Sequence, residues 1–159
     1  VGDGPRRAHL EETVKEAGLA GRVHFTGTLP KRQVIDAYHA ADLFVIASVT
    51  ETQGLATLEA MAAGLPVVGV RAPGTCDMVE HGVQGLLTAE EPEPFAAAVL
   101  RLLEDGAMRR SFAARALERA EKFSARNMAL EMLRAYEEAL LSPDVGGSAP
   151  GRDKAVAME

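Results

Sequence analysis

Apolar and polar positions along this chain switch repeatedly between a helical period and short apolar runs. Arg6 to Ala17 has helical composition and stops at Gly18, and Lys31 to Ala41 carries Val34, Ile35 and Tyr38 at helical spacing. Between them, Arg22-Val23-His24-Phe25 reads as a short strand followed by Gly27. Leu43-Phe44-Val45-Ile46 is a continuous apolar run, as expected of a strand covered on both faces. Gly54 to Ala63 is predicted helical, Val67 to Val70 a strand, and Thr75 to His81 a short helix after Gly74. Gly85-Leu86-Leu87 makes a last brief strand. At the front, Val1-Gly2-Asp3-Gly4-Pro5 reads as the final residue of a strand, a glycine turn and a proline in the first turn of a helix.

Alternating strands and helices joined by short loops predict an α/β fold, with a parallel sheet and helices on both of its faces. After residue 90 the pattern becomes all-helical. Pro92 opens a helix carrying Phe95, Val99, Leu102 and Leu103, and a second runs from Ala107 to Glu121. Ser124 is placed to N-cap a third, whose Leu133, Tyr136 and Leu140 form one stripe. The expected organisation is one domain over residues 1–141. Residues 142–159 are rich in Gly, Pro, Ser and Ala without periodicity and are expected to form a disordered tail. No internal repeat is visible.

Composition narrows the function classes. With 159 residues, 47% of them hydrophobic and 25% charged, the chain suits a single soluble domain with a real core. A net charge of −6 argues against nucleic acid as a partner, which calls for a basic face. The densest basic stretch, Arg109 to Arg126, is interrupted by Glu118 and Glu121 and reads as a solvated helix face. Cys76 is the single cysteine, so no internal disulfide exists, which suits a reducing compartment. No apolar run reaches membrane-spanning length. His9, His24, His39 and His81 are isolated, and no Asp-x-Asp or paired-histidine cluster offers a metal site.

The stretch Thr50 to Val68 carries the chemistry. Glu51 and Glu59 stand eight residues apart around Gly54, which opens a helix, and that helix stops at Gly64-Leu65-Pro66 before a β-branched run. In an open parallel sheet, ligands bind at the carboxyl ends of the strands. The start of the helix presents N–H groups without intrahelical partners and a positive dipole end, and glycine lets an anion approach the backbone closely. Glu59 lies roughly 7 Å further along the helix at 1.5 Å per residue. Taken alone the glutamate pair is a weak signal, because glutamate is common here. With Gly54, the Gly64-x-Pro66 stop and the flanking strands it describes a cradle for a phosphate flanked by polyols, such as a nucleotide-sugar.

At this point the sequence resembles a known family. Ser48-x-x-Glu51-x-x-Gly54-Leu55-x-x-x-Glu59-Ala60-Met61-Ala62-x-Gly64-x-Pro66-Val67-Val68 is similar to the E-x7-E signature of family 4 of the retaining glycosyltransferases, the group 1 glycosyltransferases, which have the GT-B fold. The likeness continues through Val1-Gly2-Asp3-Gly4-Pro5, Val23-x-Phe25-x-Gly27 and Ala41-Asp42-Leu43-Phe44-Val45. It extends to Pro73-Gly74-x-x-Asp77-x-Val79-x-x-Gly82-x-x-Gly85-Leu86-Leu87, with Asp77 where Glu is more usual. Gln53 stands where many relatives have an aromatic residue, Ala56 is smaller than the usual Val, and Thr50 to Leu55 looks more like enzymes that glycosylate diacylglycerol lipids.

The resemblance implies the C-terminal, donor-binding, Rossmann-like half of a GT-B enzyme. It implies that Glu51 hydrogen-bonds hydroxyls of the transferred sugar and is the catalytic position. The amides of Gly54, Leu55 and Ala56 would hold the diphosphate and sugar, Glu59 the ribose, and Gly27, Thr28 and Leu29 the nucleobase. It implies a hexosyltransferase needing no metal or other cofactor, whose donor is a nucleoside diphosphate sugar of the UDP-glucose or GDP-mannose type. The acceptor would be a hydroxyl of a lipid or polysaccharide precursor, in a cytoplasmic enzyme, with peripheral association at the inner membrane face compatible with a lipid acceptor. An N-terminal acceptor domain, the first strand and the basic residues before the Gly2-Asp3-Gly4 turn have no counterpart here. The chain is therefore expected to be a fragment, inactive alone, with an unpaired sheet edge through which it can dimerise. A non-catalytic nucleotide-sugar-binding module or inactive gene fragment is the alternative; a GT-B epimerase fits the glutamate signature less well.

Overall fold

The computed structural model describes residues 1–141; the expected tail at 142–159 lies outside them. The chain divides into two units, Val1–Glu121 and Lys122–Glu159. In order, the elements are α1 (Arg7–Glu16), α2 (Lys31–His39), β1 (Phe44–Ile46), α3 (Leu55–Ala62), β2 (Val67–Val70), α4 (Pro73–Met78), β3 (Gly85–Thr88), α5 (Pro92–Glu104), α6 (Gly106–Lys122) and α7 (Ala125–Leu141).

The three strands form one parallel sheet in the order β1-β2-β3, with Phe44 opposite Val67 and Val67 opposite Gly85. Successive residues of a strand face opposite sides, and the two sides of β2 build two cores. On one side Val67 packs with Met61 of α3, Val79, Leu87 and the α6 residues Ala116 and Ala120. On the other, Val68 and Leu86 pack with Ala98 and Leu102 of α5 and with Phe112 of α6. All four residues of β2 are buried, which is why the run Val67-Val68-Gly69-Val70 shows no polar alternation.

Local signals in the chain start most of these helices. Pro73 and Pro92 sit in the first turns of α4 and α5, where the missing N–H costs nothing. Asp105 Oδ1 accepts the N–H of Met108 at 2.8 Å at the start of α6. In the second unit, Ser124 Oγ accepts the N–H of Asn127 at 3.3 Å, the capping bond expected of it. α4 begins two residues earlier than predicted, because Pro73 opens it.

One predicted strand is absent. Residues Arg22 to Phe25 form no ladder among the described residues; the segment is held instead by the Arg22 N–H on the Leu19 carbonyl at 2.8 Å, by the Arg7 guanidinium on the Phe25 carbonyl at 3.1 Å and, just beyond it, by the Gly2 N–H on the Gly27 carbonyl at 2.9 Å in an isolated antiparallel bridge. A strand is defined by a paired neighbour, and no described residue supplies one here. The apolar positions Val23 and Phe25 marked an extended segment without marking its partner. Among the described residues β1 likewise pairs with β2 alone, and no described helix is long and apolar enough to cross a membrane.

Candidate functional site

The site forms where the loops leaving β1 and β2 meet at the carboxyl end of the sheet. β1 ends at Ile46 and its loop runs through Glu51 to Gly54; β2 ends at Val70 and reaches α4 within two residues. The two loops are joined backbone to backbone, the Gly74 N–H donating to the Glu51 carbonyl at 3.1 Å. A Cβ on Gly74 would lie 2.5 Å from that same oxygen and 2.9 Å from the Thr52 carbonyl carbon, so no larger residue fits this contact. Arg119 of α6 holds the far end of α4, its guanidinium donating to the Asp77 carbonyl at 2.8 Å.

Gly54 is the pivot of the glutamate motif. It is buried and has φ +63°, and a Cβ there would lie 2.6 Å from the Gly74 carbonyl oxygen. Left-handed backbone and lack of room together demand glycine. Its carbonyl accepts the Leu58 N–H at 2.9 Å as the opening bond of α3, and no side chain caps the helix at this residue. The first-turn amides of Leu55 and Ala56 therefore point out of the helix start. Leu55 is 58% exposed and Ala56 is exposed, so the helix tip is open rather than sealed under side chains.

Glu51 is partly buried, and its Oε1 accepts the N–H of Gly54 at 3.1 Å. Its carboxylate thus occupies the positive end of α3 that the sequence reserved for an anion. Glu59, exposed and one turn further on, faces α2: the Tyr38 hydroxyl stands 3.4 Å from Glu59 Oε2 and 3.4 Å from the Ala56 carbonyl oxygen. Glu59 also lines a cavity of about 270 Å³ with Lys31, Val34, Tyr38 and His39. Burial first, and then the neighbouring Glu59 charge, raise the Tyr38 pKa above its ordinary value of 10.0, so the phenol stays a donor through the neutral range.

The predicted residues fall into two groups. Glu51, Gly54, Leu55, Ala56 and Glu59 are brought together around the first two turns of α3. Gly27, Thr28 and Leu29 lie just ahead of α2, with Gly27 buried in its bridge to Gly2, Leu29 partly buried and Thr28 exposed. No hydrogen bond joins them to either glutamate, and they are not among the residues lining the cavity beside Glu59. Arg71 is exposed, and its backbone N–H extends the β2–β3 pairing by donating to the Thr88 carbonyl at 2.9 Å. His81 has a structural task, its Nδ1 accepting the N–H of buried Leu87 at 2.9 Å.

The family profile "Glycosyl transferases group 1" matches residues 1–105. The chain belongs to the group 1 glycosyltransferases. Among curated members of this family, the D-inositol 3-phosphate glycosyltransferase of Corynebacterium urealyticum is 34% identical over 138 residues, covering 86% of this chain and 32% of that protein. The 2-deoxystreptamine glucosyltransferase of Streptomyces kanamyceticus is 42% identical over 108 residues, covering 67% of this chain and 28% of that protein. This group 1 glycosyltransferase chain thus spans about a third of the length of these relatives.

Solved structures agree. Sucrose-phosphate synthase from Thermosynechococcus elongatus superposes with a TM-score of 0.76 at 31% identity, over 87% of this chain and 37% of its own. The Anabaena protein HepE, solved with UDP and glucose, gives 0.71 at 28% identity, over 84% and 36%. The C-terminal domain of LpcC, a group 1 family protein from Francisella tularensis, gives 0.65 at 27% identity, over 75% and 64%. The parallel α/β sheet with its flanking helices is the GT-B type of architecture.

Two features of the site were not foreseen in the sequence. Helical spacing with Val34 and Ile35 places Tyr38 on one face of a helix and says nothing of its hydroxyl, although a half-buried tyrosine generally seeks a partner for that group. The only hint was its rarity, since the chain has two tyrosines in all. The Gly54–Gly74 backbone contact links residues from two loops, and spacing along the chain carries no trace of it.

Proposed function

We propose that this chain is the donor-binding half of a retaining glycosyltransferase, which moves a hexose from a nucleoside diphosphate sugar to a hydroxyl of a lipid or polysaccharide precursor. The observation that carries the reading is the open start of α3, where Glu51 already sits on the Gly54 amide and Glu59 stands one turn beyond. The amides of Gly54, Leu55 and Ala56 supply an anion-binding dipole end for the diphosphate, with no metal called on in this assignment. Glu51 and Glu59 supply acceptors for hydroxyls on either side of it: Glu51 for the sugar, Glu59 for the ribose. Gly27, Thr28 and Leu29, just ahead of α2, serve the nucleobase.

In the proposed transfer the bond from the anomeric carbon to the phosphate oxygen breaks, and a bond from the acceptor oxygen to that carbon forms on the same face. The acceptor's proton passes to the departing phosphate. Glu51, in the loop ahead of α3, acts as a hydroxyl acceptor and forms no covalent bond. Basic residues that offset the leaving charge, and the acceptor site, are assigned to a preceding domain in the longer protein. The share of relatives covered, about a third, and the likeness to an isolated C-terminal domain support that division. A cytoplasmic enzyme, peripheral at the membrane when its acceptor is a lipid, is the setting this reading entails.

A thermal-shift screen across UDP-, GDP- and ADP-sugars tests the proposal. Ligand binding to the folded state stabilises it by mass action, about 2.7 kcal/mol at a hundred times Kd. One base class is expected to raise the melting temperature in proportion to log concentration. No shift with any of the three at millimolar concentration overturns the reading.

A further inference from the structure

Glu59 is exposed, yet a vicinal diol is recognised best by a carboxylate held in one orientation. The structure supplies a group that does this. Tyr38 donates toward Glu59 Oε2 and the Ala56 carbonyl, each at 3.4 Å, so one hydroxyl hydrogen is shared between an atom of the α3 backbone and the carboxylate. The ring itself is seated: it meets Phe44 of β1 edge to face, with centroids 6.1 Å apart and planes at 68°. Tyr38 also lines both the cavity that holds Glu59 and a second one of about 440 Å³ beside β1, and so forms part of the wall of each.

We infer that Tyr38 is a positioning residue for Glu59, linking the sheet to the carboxylate so that its free lone pairs face the two ribose hydroxyls of a nucleoside diphosphate. The inference rests on the ribose role of Glu59 given above. An ionised carboxylate offers about four acceptor sites, and one phenol occupies one of them, leaving enough for a diol. A phenol has one hydrogen to give. When it turns wholly to Glu59 the Ala56 carbonyl keeps its intrahelical role, so the rearrangement leaves no acceptor stranded. Lys31 lines the same cavity and forms no ion pair with Glu59.

The test is the ratio of affinities for UDP and 2′-deoxy-UDP, measured by calorimetry on the 159-residue chain. Wild type is expected to prefer UDP, and Glu59→Gln to lose most of that preference. Tyr38→Phe, which keeps the ring on Phe44, is expected to lower the ratio by about three- to tenfold, the worth of one hydrogen bond. Its affinity for inorganic pyrophosphate should not change. A wild type without any preference removes the ribose role of Glu59, and this inference with it. A normal wild type and a deficient Glu59→Gln variant beside a Tyr38→Phe variant with the full ratio overturn the inference alone. Equal losses of UDP, 2′-deoxy-UDP and pyrophosphate in Tyr38→Phe mean a structural role and also overturn it.

A measurement on the unaltered chain guards against a misfolded variant. With two tyrosines in the sequence, the Cζ resonance of Tyr38 is readily assigned in a tyrosine-labelled sample. It should move with UDP and stay in place with pyrophosphate. A Cζ resonance indifferent to UDP contradicts the linkage.

Discussion

Glu51→Ala is expected to leave UDP binding intact or tighter while erasing the extra affinity that UDP-glucose has over UDP. The reason is electrostatic. Glu51 places a negative charge on the Gly54 amide at the positive end of α3, where the diphosphate is to bind. Two unit charges of like sign 4 Å apart repel by about 1 kcal/mol in water and about 4 kcal/mol at an effective dielectric of 20. Removing the carboxylate relieves that repulsion and frees an N–H for phosphate. The same change forfeits a hydrogen bond to the sugar, about 1.5–3 kcal/mol for a charged acceptor.

Glu59→Ala should behave in the opposite way. Both ligands carry the ribose, so both should weaken together by about 10- to 100-fold. Calorimetric titration of each variant with UDP and UDP-glucose separates the roles. Equal losses for both ligands in both variants contradict the division.

The second large effect is expected at the glycine contact that joins the two loops. Gly54→Ala combines a left-handed φ of +63° with a Cβ 2.6 Å from the Gly74 carbonyl oxygen, and the atom it meets is backbone. Strain and overpacking together should cost about 2–4 kcal/mol. Gly74→Ala has no φ penalty but places its Cβ 2.5 Å from the Glu51 carbonyl oxygen, so it should cost about 1–3 kcal/mol. It should also displace Glu51, and with it the preference for UDP-glucose.

Gly82→Ala is the comparison that separates the terms. Its φ is +83°, yet nothing lies within 4 Å of the added methyl group. It should cost about 1–2 kcal/mol from strain alone and leave ligand binding unaltered. Thermal melts read these differences at roughly 2–8 °C per kcal/mol for domains of this size. A Gly74→Ala variant that melts and binds like wild type contradicts the tight backbone packing.

Much of this architecture is local and was therefore legible. The β-branched run Val67-Val68-Gly69-Val70 announced a strand buried on both faces, and Gly54 with Gly64-Leu65-Pro66 marked the two ends of α3 within a residue. Ser124 met its expected partner because an N-cap bond spans only three residues. What spacing did not reveal depends on groups distant in the chain. Val23 and Phe25 have strand composition, but pairing is decided by a neighbour, and none of the described residues provides it. Tyr38 acts across 21 positions to reach Glu59. Gly74 meets Glu51 across a loop, a helix and a strand.

Glu51 shows a different limit. The pattern put a carboxylate beside an anion-binding helix start, and it did not indicate that the carboxylate itself would settle on the Gly54 amide. An unpaired N–H and an acceptor three residues away will find each other when no ligand competes.

The account turns on whether the start of α3 receives the diphosphate, and amide chemical-shift mapping of the 159-residue chain with UDP-glucose examines that contact directly. The amides of Gly54, Leu55 and Ala56 should show the largest displacements and saturate together with one dissociation constant. Saturable shifts elsewhere in the chain, with those three resonances unmoved, would contradict it.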